Sequence, residues 1–254
     1  MSWGKVTEPQ VNQVIQYKNH FYGVGDDHGV WENVANSIHW RRIASGDVTF
    51  ITIKNDVIYG LGTDRAIWKR PIAEGRWEQL NTWALRKFLI DGDDIYGIGL
   101  DNAIWKSNIA GSGWSKVAIG PIIDFSLYND SFYGLRSDGC VWKHSKEGDG
   151  DWEKVTDGAM TKIEVQKGTI YGLSKEGDIW RHSSGKDDSS WFKVTDGGII
   201  DFLLEGNQVY GLGSDKAIWK WQTTAPNNCK ITTSLDSHVR TIMQLRKYNR
   251  RKLN

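Results

Sequence analysis

Six acidic residues recur at one position of a repeated segment, and carboxylates in such an array can accept hydrogen bonds from sugar hydroxyls or amides. Each acid lies five residues after the tyrosine of a Tyr-Gly pair: Asp27, Asp64, Asp101, Asp138, Glu176 and Asp215. The same position opens a predicted hairpin, where an aspartate bonds the backbone two residues on. Both roles are compatible, because a carboxylate in a turn keeps unused lone pairs. The six acids are therefore candidate ligand-binding residues.

Twelve of the 14 tryptophans recur with the acids. An outer set precedes each Tyr-Gly pair by nineteen residues: Trp3, Trp40, Trp77, Trp114, Trp152 and Trp191. An inner set follows each tyrosine by nine residues: Trp31, Trp68, Trp105, Trp142, Trp180 and Trp219. Indole rings stack on the apolar faces of sugars, but packing between repeats is the first explanation for these twelve. Trp83 has no equivalent in the other copies, so we expect it to be exposed and include it among the candidate binding residues.

Basic residues also recur, in two columns. One follows the inner tryptophan: Lys69, Lys106, Lys143, Arg181 and Lys220. The other lies two residues after the outer tryptophan: Arg42, Lys116, Lys154 and Lys193. Solvated strand faces and edge protection explain both columns without a ligand, and an anionic ligand is the alternative. His144 and His182 are equivalent in adjacent copies, but no further ligand lies near them in sequence, so we predict no metal site and no cofactor.

Catalytic motifs are absent from the sequence. It contains no Gly-x-Ser-x-Gly, no His-Glu-x-x-His and no glycine-rich phosphate loop, so we predict that the protein is not an enzyme. Six weak equivalent sites gain avidity on a multivalent surface. The repetition of the polar residues therefore favours binding over catalysis.

The elements that position these residues follow from the spacing, which returns every 37 to 39 residues. A fixed period of this length indicates one supersecondary unit copied in tandem. Four short apolar segments alternate with turn residues in each copy; in the last copy they cover 191–194, 201–204, 208–212 and 217–220. The sequence therefore predicts an all-β, six-bladed β-propeller of four-stranded antiparallel blades.

The ends of the repeats predict how the ring closes. The chain opens with a Trp-x-x-Val segment at residues 3–6 and its last repeat stops after the strand that carries Ile218 and Trp219. The strand count balances only if the first segment completes the last blade as its outermost strand, which also removes two open sheet edges. Only the loop after the inner tryptophan strand varies in length, so we expect any shared site on the opposite, uniform face.

Composition divides the chain into a propeller at 1–222 and a basic tail, a linker with a short predicted helix, at 223–254. The formal charge of the whole chain is +1, but the tail holds seven bases and one acid, which leaves the repeats near −5. Acidic repeats disfavour nucleic-acid binding. There is no signal peptide and no apolar stretch long enough to cross a bilayer, so we expect a soluble protein, secreted or cytoplasmic. The sequence leaves the oligomeric state open. Cys140 and Cys229 share no metal or redox spacing, and we expect Cys140 to be a small packed residue.

The motif Trp-x-x-Val, Tyr-Gly-Leu-Gly and Asp-x-Ala-Ile-Trp-Lys resembles the tectonin repeat, most clearly at 191–220, and the resemblance covers residues 3–220. The tectonin and tachylectin-1 family consists of six-bladed propeller lectins that bind bacterial lipopolysaccharide and N-acetylated or O-methylated sugars, often in recognition of microbes. The resemblance implies a lectin without catalytic activity whose partners are glycans or glycoconjugates on cell surfaces.

Two other functions stay open. One is a protein-interaction scaffold that engages a partner through one face or through the basic tail. The other is a glycosidase, because the segment from Ser137 to Trp142 comes near the Asp-box hairpin of sialidases, although its aspartate precedes the tryptophan by four rather than five residues.

Overall fold

Each repeat folds into one antiparallel sheet, because its inner strand is apolar on alternate residues and its middle strands are apolar on both faces. The computed structural model describes residues 2–34, 37–111, 113–148, 150–183 and 190–222. Within these ranges the chain forms six sheets of four strands. The prediction of six four-stranded antiparallel blades is confirmed. The tail predicted at 223–254, with Cys229, lies outside the described residues.

The chain begins with β1 (Ser2–Lys5), which belongs to the last blade. From the innermost strand outward, blade 1 comprises β2 (Val11–Tyr17), β3 (His20–Gly25), β4 (Val30–Asn33) and β5 (Arg41–Ala44). Blade 2 comprises β6 (Val48–Lys54), β7 (Val57–Gly62), β8 (Ile67–Pro71) and β9 (Glu78–Gln79). Blade 3 comprises β10 (Leu85–Asp91), β11 (Asp94–Gly99), β12 (Ile104–Asn108) and β13 (Ser115–Ala118).

Blades 4 to 6 repeat this order. Blade 4 comprises β14 (Asp124–Tyr128), β15 (Ser131–Leu135), β16 (Val141–Ser145) and β17 (Glu153–Thr156). Blade 5 comprises β18 (Met160–Gln166), β19 (Thr169–Ser174), β20 (Ile179–Ser183) and β21 (Phe192–Lys193). Blade 6 comprises β22 (Ile199–Glu205), β23 (Gln208–Gly213), β24 (Ile218–Gln222) and, outermost, β1.

The ring closes as predicted, with β1 antiparallel to β24. Trp3 lies opposite Trp221 and Lys5 lies opposite Trp219. The backbone N–H of Val6 extends the pairing by donating to the Ile218 carbonyl at 2.8 Å. The first segment therefore joins the last blade and pairs the outer edge of β24, which would otherwise be open.

The core lies between adjacent blades. Phe125 and Phe132 of blade 4 are fully buried and cluster with Ile98 and Ile104 of blade 3. Full burial of one such side chain stabilises a protein by roughly 1.5 to 3 kcal/mol. Because similar clusters join the other blades, the repeats stabilise one another.

The glycine of each Tyr-Gly pair leaves room for the outer tryptophan of the same blade. A Cβ atom added to Gly134 would lie 2.7 Å from the Trp152 ring, and one added to Gly60 would lie 3.1 Å from the Trp77 ring. The ring of the outer tryptophan therefore packs against the second strand of its own blade at a position that has no side chain.

One end of the ring carries the turns between the second and third strands of the blades, such as the turn from β7 to β8, and the crossovers between blades, such as 45–47. We call this end the hairpin face. The six innermost strands surround a central channel, a cavity of about 700 Å³. In the part of the chain that the structure describes, no helical segment combines the length and the apolar character of a bilayer crossing.

Candidate functional site

The six candidate acids lie one to a blade in the turns of the hairpin face. The residue after each acid has a positive φ, for example 67° at Arg65 and 60° at Asn102. For the five aspartates, the N–H two residues on donates to the carboxylate: Gly29 to Asp27 at 3.0 Å, Ala66 to Asp64 at 3.0 Å, Ala103 to Asp101 at 3.1 Å, Cys140 to Asp138 at 2.9 Å and Ala217 to Asp215 at 3.1 Å. The aspartates thus shape the turn, as the alternative explanation of this position predicts.

Four aspartates also bind the inner tryptophan of their own blade through its indole N–H. The pairs are Trp31 to Asp27 at 3.0 Å, Trp68 to Asp64 at 3.2 Å, Trp105 to Asp101 at 3.0 Å and Trp219 to Asp215 at 3.1 Å. One carboxylate therefore fixes both a turn and an indole ring, which explains the constant spacing of four residues between them.

Part of the second basic column neutralises these acids. Arg42 Nε lies 2.9 Å from Asp27, and Lys116 Nζ lies 2.7 Å from the second carboxylate oxygen of Asp101. The hydrogen bond from Lys116, with those from Trp105 and the Ala103 N–H, lowers the pKa of Asp101 to about 2. Both oxygens of Asp101 are therefore already engaged.

Blades 4 and 5 depart from this arrangement. Trp142 in blade 4 has a buried indole N–H without a hydrogen-bond partner, and the Arg136 guanidinium lies 3.8 Å from its ring centre. Glu176 in blade 5 bonds the Ser174 hydroxyl, and that bond lowers its pKa. Lys193 there pairs with Asp178 at 2.8 Å instead. The six acids are therefore equivalent in sequence but not in their contacts.

Blade 2 combines an acid without an ion pair and an adjoining pocket. The residue equivalent to Lys116 is Gln79, and among the described residues no basic side chain forms an ion pair with Asp64, which is also true of Asp138, Glu176 and Asp215. A pocket of about 330 Å³ adjoins this carboxylate. Its lining combines polar groups and two indole rings: Gly46, Asp47, Thr63, Asp64, Trp68 and Trp77. A carboxylate with spare acceptor capacity thus lies between two half-buried aromatic rings.

Trp83 lies on the crossover from blade 2 to blade 3 and is exposed, as predicted, with 40% of its surface accessible. Its ring centre lies 4.8 Å from that of Trp105, the inner tryptophan of blade 3, at an interplanar angle of 49°. The structure therefore brings Trp83 next to the Asp101 turn. It brings no two of the six acids into contact with each other among the described residues.

The outer tryptophans fasten the crossovers. Five of them donate an indole hydrogen bond to a crossover carbonyl: Trp3 to Asp196 at 2.8 Å, Trp40 to Glu8 at 3.0 Å, Trp77 to Ser45 at 2.8 Å, Trp152 to Ile119 at 2.7 Å and Trp191 to Asp157 at 2.7 Å. The sixth, Trp114, has a buried indole nitrogen with no partner in the part of the chain that the structure describes. The uniform length of the crossovers thus has a structural cause.

Several of the remaining sequence candidates make contacts within their own blades. In the first basic column, Lys106 pairs with Asp94 at 2.7 Å, and Lys220 lies 5.4 Å from the Tyr210 ring centre. His144 and His182 are buried against the outer tryptophans of their blades, at 5.1 and 5.5 Å between ring centres. Cys140 is buried. Among the described residues, no three His, Cys, Asp or Glu side chains gather as a metal site requires.

The central channel holds polar residues that the search for repeated positions missed. Lys87 forms an ion pair with Asp124, and Lys162 forms one with Asp201, each across a blade boundary. Glu164 lines the channel one layer further along, and burial raises its pKa to about 7. These residues face away from the apolar side of the innermost strand. Period two, which located the core on that strand, could also have identified them.

The sheets and the sixfold turns define a six-bladed β-propeller that carries its six repeated acids on one face of the ring. The family model of the Tectonin domain matches residues 10–198, and the chain belongs to the Tectonin domain family. A Tectonin propeller fits a lectin or a protein-interaction role. No curated protein matches the chain in sequence.

Solved structures share the fold. The protein YCF48 from Cyanidioschyzon merolae superposes with a TM-score of 0.62 at 12% identity, covering 87% of this chain and 99% of that one. YCF48 bound to a D1 peptide gives 0.59 at 13% identity, over 87% and 95%. The computationally designed Ika8 protein gives 0.54 at 13% identity, over 83% and 70%. At these identities the likeness shows the architecture alone.

Proposed function

We propose that the protein is a non-catalytic lectin that binds glycans through pockets on its hairpin face, with blade 2 as the open site. The observation that carries this proposal is the pocket beside Asp64, where an acid without a basic partner lies next to two indole rings. Sugar sites combine these elements, because hydroxyl groups donate to carboxylates while the apolar face of the ring packs on an aromatic side chain.

The neutralised acids support the choice of blade 2. Asp101 already accepts from Lys116, Trp105 and a backbone N–H, so a sugar hydroxyl would have to displace one of them. Asp64 accepts from Trp68 and Ala66 and keeps further lone pairs. Family membership extends the proposal to glycoconjugates on cell surfaces, with bacterial lipopolysaccharide and N-acetylated or O-methylated sugars as the first ligands to test.

A glycan array followed by calorimetric titration tests the proposal. Asparagine keeps the oxygen that shapes the turn, so Asp64→Asn removes the charge while retaining the fold. Loss of a hydrogen bond to a charged group is worth about 1.5 to 3 kcal/mol, so we expect the affinity for the best array sugar to fall at least tenfold. The matched control, Asp101→Asn, alters an acid that is already neutralised and leaves the affinity within twofold.

A crystal soak gives an independent test. N-acetylglucosamine soaked into crystals should lie beside Trp68 and Asp64. Blank arrays together with empty pockets in soaked crystals would contradict the lectin proposal.

A protein-interaction scaffold is the second candidate, and one observation favours it. Four exposed apolar side chains surround the turn of blade 3: Trp83, Leu100, Ile119 and Ile123. The polypeptide segments that carry them are joined there, since Arg86 donates to the Leu100 carbonyl at 3.4 Å and the Ile122 N–H donates to Asn102 at 3.0 Å. A blank array and a pull-down partner lost on Leu100→Ser would support this function.

A further inference from the structure

The position of Trp83 in the repeat is occupied by a small residue in most other copies. Six residues after the outer tryptophan the chain has, in order, Pro9, Gly46, Trp83, Gly120, Gly158 and Gly197. Trp83 thus replaces a glycine found in four copies, and in blade 2 that glycine, Gly46, lines the open pocket.

The geometry shows why glycine is usual here. A Cβ atom on Gly46 would lie 2.6 Å from the indole nitrogen of Trp77, and one on Gly158 would lie 3.1 Å from that of Trp191. A larger residue fits only if the crossover and the outer tryptophan separate.

Blade 3 lacks the usual bond between the crossover and the outer tryptophan. Trp114 is the outer tryptophan of that blade, and its buried indole nitrogen has no partner among the described residues, whereas its five counterparts each donate to a crossover carbonyl. The Trp83 N–H instead bonds the Asn81 side chain at 3.2 Å. A buried donor without a partner costs about 1 to 3 kcal/mol, so the crossover of blade 3 pays a local cost to accommodate Trp83.

The ring of Trp83 covers the inner tryptophan of its blade. Trp105, which it contacts, is the counterpart of Trp68, and Trp68 borders the open pocket of blade 2. Lys116, 4.9 Å from the centre of the Trp105 ring, binds the acid of the same blade. Blade 3 therefore has both the aromatic surface and the acid of a pocket covered by its own side chains.

We propose that Trp83 is a built-in occupant of the blade 3 pocket, which makes the sites of the ring unequal, with blade 2 open and blade 3 closed. This inference rests on the proposed lectin function. In blade 3 the ring of Trp83 packs against Trp105, and Trp68 is the equivalent tryptophan of blade 2. The ligand expected in blade 2 is therefore a pyranose whose apolar face packs against Trp68. Trp83 then determines how many sites the protein offers.

Residues taken from other copies provide the test. Trp83→Gly introduces the residue of four other copies, and Lys116→Gln introduces the residue of blade 2. Gly46→Trp is the reciprocal variant that should close blade 2. Each is titrated calorimetrically with N-acetylglucosamine and soaked with it as crystals, and circular dichroism with thermal unfolding verifies the fold. If Trp83→Gly destabilises the protein, Trp83→Ser replaces it.

We expect the wild type to bind in blade 2, the Trp83→Gly/Lys116→Gln variant to gain one site per chain in blade 3, and Gly46→Trp to lose the blade 2 site. Sugar in blade 2 of the wild type with no gain in the double variant would overturn the inference and leave the lectin function intact. Sugar in the wild-type blade 3 beside a displaced Trp83 would also overturn it. If no variant binds sugar, the lectin proposal fails, and the inference fails with it.

Discussion

On the hairpin face, one aspartate in each of four blades accepts the same pair of hydrogen bonds, whereas the first residue of the channel wall is of four different types among the six blades. The channel position ten residues after the outer tryptophan holds, in order, Gln13, Phe50, Lys87, Asp124, Lys162 and Asp201. The next layer holds Ile15, Thr52, Leu89, Ser126, Glu164 and Leu203. Repetition and variation thus occupy different parts of the same ring.

The comparison distinguishes residues that build every blade from residues that differ between blades. A residue that shapes every turn must recur, so recurrence on the hairpin face identifies the scaffold first. In the channel, Gln13 bonds the backbone N–H and carbonyl of Ile51 in blade 2, both at 2.9 Å, while Lys87 and Lys162 reach acids of the next blade. Different side chains therefore join neighbouring blades, and each pair can be tested separately.

The largest effect is expected from breaking a channel pair. Asp201→Ala leaves the Lys162 ammonium without its acid in a poorly hydrated wall, which costs about 3 kcal/mol of the free energy of unfolding. Urea unfolding of the variant measures this loss. The double variant Lys162→Met/Asp201→Leu removes both charges and should regain most of the stability. If Asp201→Ala unfolds like the wild type, the pair does not join the blades.

The second effect concerns Glu164, which shares its channel layer with three aliphatic side chains. Burial raises its pKa from 4.5 to about 7. The folded state therefore holds a proton that the unfolded state releases, and the stability of the wild type falls as the pH rises from 4.5 to 7. Glu164→Gln removes this loss, so we expect it to stabilise the protein by up to about 3 kcal/mol above pH 7 and little below pH 4.5.

Urea unfolding at pH 4.5, 6 and 8 measures the difference between Glu164→Gln and the wild type. Glu205→Gln is the matched control, because Glu205 is an exposed acid at the end of β22. Its effect should be small, because the side chain is exposed. A Glu164→Gln effect that does not change with pH would contradict the raised pKa of this carboxylate.

The period and the alternation of apolar residues predicted the blades, their number and the closing strand. The four-stranded unit repeats every 37 to 39 residues, and an edge strand needs a partner. The turn role of Asp27 and its counterparts was also predictable, since the acid keeps a fixed distance from the turn. What the sequence did not show is which acid each base of the second column binds, since Lys116 pairs with Asp101 while Lys193, at the equivalent position, pairs with Asp178.

The contacts of Trp83 could not be predicted from the repeat. Its lack of a repeat partner predicted exposure, but not that its ring lies on Trp105 or that Trp114 loses its hydrogen bond. Those contacts depend on how a crossover bends around one large side chain. The channel pairs could not be predicted from the repeat for a different reason, since their residue types do not recur in every copy.

The smallest effect compares two turns on the hairpin face. Asp101 has its pKa lowered to about 2, first by Lys116, so it stabilises the protein above pH 3.8 and loses that contribution as the pH falls towards 2. Because the pair is partly exposed, we expect Asp101→Asn to cost only about 0.5 to 1 kcal/mol at pH 7. Asp64 has no ion pair among the described residues, so Asp64→Asn should cost less. Thermal unfolding at pH 7 and pH 2.5 measures both.

At pH 2.5 Asp101→Asn should approach the wild type, because the unfolded state then binds a proton at this carboxylate and most of its contribution to stability is lost. Lys116→Gln should match Asp101→Asn at pH 7, since either change breaks the same ion pair. An equal cost for Asp64→Asn and Asp101→Asn at pH 7 would mean that the turn and the indole bond carry the whole contribution. The acids of blades 2 and 3 would then be energetically alike, and only the cover that Trp83 places over blade 3 would separate their sites.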